Sequence, residues 1–115
     1  MEFDHFSLVL LETNPAAPKL DEVTSVRVFD AHLAHLAAGH DAGHMIGAGP
    51  ARDGAALRGL CLTTLPPDDA RAWSQTDPAV QAGVFTVRVV PWQVPAGAVA
   101  HADARFPHSV AEASG

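Results

Sequence analysis

One stretch of this chain has a period of its own. From about Asp21 to Gly39, Val26, Phe29, Leu33, Leu36 and Ala37 recur at three- and four-residue steps, the spacing that lays one apolar stripe along an α-helix. Asp21 and Glu22 fall in what would be its first turn, where carboxylates meet the positive end of the helix dipole. Gly39 and Gly43 offer left-handed positions to end it. The apolar runs on either side are short and bounded by breakers. Phe6 to Leu11 reads as a buried strand stopped by Thr13-Asn14-Pro15. The run HMIGAGPA and the run from Ala56 to Leu65 read as the two strands of a hairpin, with Asp53-Gly54 marking the turn. PPDDARAWSQ opens a second helix, with proline early and carboxylates in the first turn, and turns Ala70, Trp73 and Ser74 toward the core. Asp77-Pro78 opens a short segment that ends at Gly83. Val84 to Val90 then alternates as a last strand, stopped by Pro91 and Pro95.

A strand, helix, strand, strand, helix, strand order predicts an α+β, ferredoxin-like βαββαβ fold, with an antiparallel sheet and both helices on one face. The opposite face of that sheet is then apolar and bare. Such a face implies a partner, most simply a second copy packed sheet against sheet as a homodimer. Residues 1–95 make up this domain. The Ala-rich tail, 96–115, has no firm period and reads either as mobile or as packing on a partner subunit.

The chain has 115 residues, enough for one domain with one core. Lys plus Arg number 7 and Asp plus Glu 13, so the formal charge is −6. That balance argues against a general nucleic-acid or anionic-membrane binder, since neither electrostatic footprint is present. The single cysteine excludes an intrachain disulfide and fits a reducing compartment. Within LRGLCLTTL, Cys61 reads as a buried small hydrophobe rather than a nucleophile. The N-terminus lacks the basic region of a signal peptide, and no apolar run approaches the roughly 20 residues that span a bilayer. A cytoplasmic protein is expected.

Four of the seven histidines crowd into AHLAHLAAGHDAGHMIGAGP. Helical phase separates them. His32 lies at the edge of the apolar stripe, where its base is packed and its tip can reach a cleft. It reads as a general acid or base, or as a half-buried histidine with one structural hydrogen bond. His35 points toward solvent. His40 belongs to the helix C-terminus, where a positive charge is favourable, and His44 lies beyond the helix. A base needs an orienting partner, and Asp77 is the candidate. Pro78 holds Asp77 extended, so its carboxylate projects from a turn. It reads equally as an N-cap. A metal reading stands beside these, since His32 and His35 have an i, i+3 spacing. Three or four converging ligands are not in evidence, however, so no metal and no other cofactor is expected. GAGPARDG matches neither a phosphate loop nor a dinucleotide fingerprint, and no G-x-S-x-G elbow appears.

Three segments together, FSLVLLE, AHLAHLAAGHDAGHMIGAGP and DDARAWSQTDPAVQAGVFTVRVVPWQV, resemble the YciI-like (YCII-related) proteins. The most specific pieces are His32-Leu33 followed by Gly49-Pro50, and Asp77-Pro78 followed by Gly83. The resemblance runs from about Phe3 to Pro95. It implies a ferredoxin-like fold assembled as a dimeric α/β barrel, with a site centred on His32 and Asp77 and with Gly49 and Pro50 bordering a substrate pocket. The family's reactions are largely unassigned; one relative is a dehydrochlorinase acting on a chlorinated hydroxyquinol. The expectation is a small cofactor-independent enzyme that uses a His/Asp pair for proton transfer, as in an elimination or isomerisation, on a small polar or aromatic molecule. The alternative is a non-catalytic dimeric module that binds a metabolite.

Overall fold

A computed structural model describes every residue from Met1 to Gly115. Its elements run β1 (Phe3–Thr13), α1 (Glu22–Asp41), β2 (Met45–Pro50), β3 (Leu57–Thr63), α2 (Pro67–Ser74), α3 (Pro78–Gln81), β4 (Phe85–Pro95) and α4 (Val110–Ser114). The four strands form one sheet in the order β2-β3-β1-β4, and every neighbouring pair is antiparallel. This is the ferredoxin-like arrangement the order of apolar runs predicts. Two details extend it. A four-residue α3 follows α2, and a short α4 closes the chain.

Local chemistry accounts for the boundaries. Asp21 stands just outside α1 as its N-cap, accepting a hydrogen bond from the Thr24 amide at 2.7 Å. That bond holds the Asp21 carboxyl below its usual range. At the other end the helix passes Gly39 and stops at Asp41; Gly43, at φ +80°, takes the left-handed position. Gly39 therefore does not end the helix. A Cβ at Gly39 would lie 2.6 Å from Cζ2 of Trp73, so the missing side chain lets the indole of α2 approach the α1 backbone. β4 also runs further than its prolines suggest. It pairs only with β1, from Thr13↔Phe85 to Phe3↔Pro95. An edge strand has one side without a neighbour, and Pro91 and Pro95, four residues apart, leave their missing donors on the same side.

The strand periodicity sorts the sheet into two faces. Val9 and Leu11 of β1, Cys61 of β3 and Phe85 of β4 point toward the helices, where they meet Leu36 of α1, Ala70 of α2 and Ala79 of α3 in one buried cluster. Ala70 and Ala79 are fully buried, and their small side chains set α2 and α3 close to the sheet. The buried hydroxyls of Ser7 and Thr63 inside this layer are satisfied. The Ser7 hydroxyl donates to the Leu65 carbonyl at 2.7 Å, and the Thr63 hydroxyl to the Ser7 carbonyl at 2.9 Å. The registers place Phe6, Leu8, Leu10, Leu62, Leu60 and Trp92 on the other face, where Leu60 is 37% and Trp92 41% exposed. No helix of the chain is long and apolar enough to cross a membrane.

The tail does not leave the domain. It comes back onto α1 of its own chain: His101 Nε2–H donates to the His40 carbonyl at 2.8 Å, and the Val110 amide donates to Asp30 at 2.7 Å. Phe106 packs against the buried cluster. Sequence periodicity suggests mobility or a neighbouring subunit for this segment because Ala-rich chain carries no stripe; three isolated residues, His101 and Phe106 through their rings and Val110 through its amide, make its contacts instead.

Candidate active site

The apolar stripe of α1 faces the sheet, and His32 sits at the margin of that stripe as helical phase predicts. Its ring is nearly buried. Phe29 meets it edge-on at 6.0 Å between centroids and Phe85 at 5.8 Å, and the two phenyl rings pack against each other at 5.9 Å. Two phenyl rings thus hold the imidazole's orientation. Asp77 reaches it from the loop between α2 and α3. The carboxylate accepts from His32 Nδ1, with Nδ1 2.8 Å from Oδ2 and 2.9 Å from Oδ1. The side chains of His32 and Asp77 are 10% and 3% exposed, so this is a charge-assisted bond in a largely dry setting.

The sequence left two readings of Asp77, and its carboxylate makes both kinds of contact, one to His32 and one as a helix cap. Its backbone is extended, at φ −68° and ψ 123°, as a residue before proline should be. Its carboxylate also accepts from the Ala79 amide at 2.9 Å and so caps α3. The cap fixes the carboxylate, and the carboxylate fixes the imidazole. With Nδ1 carrying the proton for Asp77, the neutral ring has its lone pair on Nε2, which has no hydrogen-bond partner in the protein.

His32 forms part of the wall of a cavity of about 310 Å³, to which Gly49 and Pro50 also contribute. Most of that wall is apolar, from residues such as Phe29, Leu36 and Phe85. Asp77 stands behind the imidazole rather than on the wall. Arg58 is the only lining residue with a permanent charge, and it makes no salt bridge. Cys61 also lines the space. Burial, with a smaller contribution from the Asp77 charge, pushes its thiol up to about 12, so it stays protonated near neutrality and reacts slowly with electrophiles. The result is an imidazole held by a buried carboxylate on the wall of a small, largely apolar chamber, with Nε2 free of any hydrogen-bond partner in the protein. Such a group can accept or deliver a proton on a bound molecule.

The other histidines of the cluster separate. His35, expected in solvent, is half-buried instead. It stacks on Trp73 at 4.7 Å, and its Nε2 lies 3.0 Å from the Thr76 hydroxyl. Its Nδ1 is buried without a partner. Burial draws its pKa below the usual histidine value, against the opposing pull of the Asp77 charge. His32 and His35 thus turn to different neighbours despite their i, i+3 spacing, and no three His, Cys, Asp or Glu side chains are placed to hold a metal ion. His40 does lie in the last turn of α1, but it is buried: Nδ1–H donates to the Met45 carbonyl at 3.1 Å. His44 lies beyond the helix, as expected. Sequence reasoning missed Arg58, Phe29, Phe85 and Phe106 as parts of the chamber. For Phe29 the signal was present, since it lies one turn before His32 on the same helix.

No curated protein matches the chain. Among solved structures it is similar to 5-chloro-2-hydroxyhydroquinone dehydrochlorinase from Burkholderia phenoliruptrix AC1100, in complex with 2,5-dihydroxybenzoquinone, at 20% identity and a TM-score of 0.54. The likeness covers 76% of this chain and 92% of that one, and it supports the ferredoxin-like fold. A family model, the YCII-related domain, matches residues 7–93. With most of its length inside that match, the chain belongs to the YCII-related family.

Proposed function

We propose that this protein is a small cofactor-independent enzyme in which His32 transfers a proton to or from a small hydroxylated ring compound, with Asp77 orienting and charging the imidazole. The single observation that carries the reading is the bond from His32 Nδ1 to the buried Asp77 carboxylate at 2.8 Å, on an imidazole that lines a chamber. In the forward direction Nε2 takes a proton from a ring hydroxyl or ring carbon. The Asp77 carboxylate offsets the positive charge that then forms on the imidazole. In an elimination, the electrons of the broken bond to hydrogen form the new double bond while the leaving group departs with its own bonding pair. In an isomerisation, the imidazolium returns the proton to another atom of the same molecule. Arg58, at the edge of the chamber, draws the oxygen-bearing or anionic side of the substrate. The similar solved enzyme is a dehydrochlorinase seen with a hydroxylated quinone, which makes halogenated and hydroxylated single-ring compounds the first to try.

The functional unit in this reading is a homodimer joined through the apolar sheet face that carries Leu60, Leu62 and Trp92. Light scattering at micromolar concentration should give twice the 12.0 kDa of the chain; a particle of 12.0 kDa contradicts the dimer. The enzyme reading is tested by a screen of chlorinated hydroquinones, hydroxylated aromatics and lactones, followed by ultraviolet absorbance and halide release. Turnover that disappears in His32→Ala supports it. Saturable binding with no product across the panel points instead to a metabolite-binding module.

A further inference from the structure

The chamber is completed by residues that lie outside the family match. Phe106, Pro107 and Ala113 contribute to its wall, whereas the match to the YCII-related domain ends at residue 93. These three belong to a segment tied down at both ends. At one end the His40 ring is stacked between His101 and Phe106, 4.4 Å from each. His101 is anchored in turn by its bond to the His40 carbonyl at 2.8 Å. At the other end Asp30 of α1 accepts from the Val110 amide at 2.7 Å, and Ser109 caps α4 through the Glu112 amide at 3.1 Å. Both ties are made to α1, the helix that carries His32.

We infer that residues 101–113 are the roof of this chamber and that Phe106 limits the size of its occupant. The inference rests on the reading that the chamber receives the substrate. A space of about 310 Å³ lies at the small end of ordinary ligand cavities, which run from about 300 to 1,000 Å³. Phe106 stands on the chamber wall with its ring stacked on His40, so removing its side chain enlarges the space from the side of the tail. The roof also keeps water from the imidazole, so the bond between His32 and Asp77 keeps its strength in a chamber of low dielectric. Substrate size is therefore set by a segment this chain adds to the family domain, while the acid–base pair is set by the domain itself.

Cys61 makes the roof measurable without a substrate. It is the only cysteine, it is buried, and it lines the chamber. Alkylation of the full-length protein by N-ethylmaleimide should be slow. It should speed up at least tenfold in Phe106→Ala and several-fold in Asp30→Ala, which removes the tie to Val110. Gly39→Ala serves as a control that strains the packing against Trp73 without touching the roof, and its rate should stay near wild type. The second readout is a pair of probes, catechol and 2,3-dihydroxynaphthalene, titrated by calorimetry. Phe106→Ala should shift the affinity ratio at least tenfold toward the naphthalene diol relative to the full-length protein. A Cys61 rate in Phe106→Ala within twofold of wild type, an unchanged ratio, or no binding of either diol by the wild type overturns the inference. The alkylation result involves no turnover, so it stands apart from the fate of His32 as a catalyst.

Discussion

His32 and His40 lie eight residues apart on the same face of one helix, both buried and both held through Nδ1. Their partners differ. His32 meets a carboxylate that can carry the counter-charge of an imidazolium; His40 meets the Met45 carbonyl, which cannot. His32 lies on the wall of a chamber with Nε2 unpartnered, while the His40 ring is stacked between two others. A buried histidine is thus a candidate for proton transfer only where a charge partner and an open nitrogen coincide. Along α1 that happens at one position, and at the other the same residue type clamps a tail.

The comparison breaks first at His32. On a substrate found by the screen, His32→Ala should lower kcat/KM by at least about 100-fold, roughly 2.7 kcal/mol of transition-state stabilisation, with circular dichroism unchanged. Asp77→Asn should cost about 10- to 100-fold, because the amide keeps the N-cap on Ala79 but loses the charge that steadies the imidazolium. Rates within twofold of wild type for either would put His32 in the same structural class as His40.

The next effect belongs to His40. His40→Ala empties a buried site and unstacks His101 and Phe106, so chemical denaturation should show a loss of about 2–3 kcal/mol. KM should rise through the loosened roof while kcat changes less. Should kcat collapse as it does for His32, the division of labour between the two histidines fails. Smaller again is Gly39→Ala. Alanine is the better helix former by about 0.5–1 kcal/mol, but its Cβ would meet the Trp73 ring at 2.6 Å. A net loss of about 1–2 kcal/mol is expected, and a gain in stability would mean that the Trp73 ring moves freely.

The smallest effect sharpens the contrast by pH. The His35 pKa is lowered in the fold, so between that value and the ordinary one near 6.5 the unfolded chain binds more protons than the native one. Stability should therefore be full above about pH 6.5 and decline as pH falls below it, by some tenths of a kcal/mol given the partial exposure of the ring. His35→Gln should flatten that part of the curve in thermal melts. An identical acid slope in the variant assigns the dependence to another group.

Much of this was legible in the chain. The 3.6-residue stripe and the short apolar runs specify the ferredoxin-like order, and Pro78 specifies the extended Asp77 that meets His32. What escaped did so for definable reasons. Helical phase locates a residue relative to its own stripe, so it placed His35 opposite the sheet and therefore in solvent. It has no knowledge of Trp73, which arrives from α2 on that side. The same limit turned Gly39 into a terminator, since close approach by a side chain distant in sequence leaves no local mark. Phe106 escaped because a roof made of single anchors carries no period at all.

The central claim is that His32 moves the proton and that Asp77 makes it able to. Chemical rescue tests this most directly: turnover by His32→Ala measured against rising imidazole, at a pH where imidazole is mostly in its basic form. Removing the side chain leaves a vacancy of the same shape beside Asp77, so added imidazole should restore turnover in proportion to its concentration, and the restoration should weaken when Asp77→Asn is added. Full activity of His32→Ala without imidazole, or a lost activity that no concentration of imidazole recovers, would contradict the account.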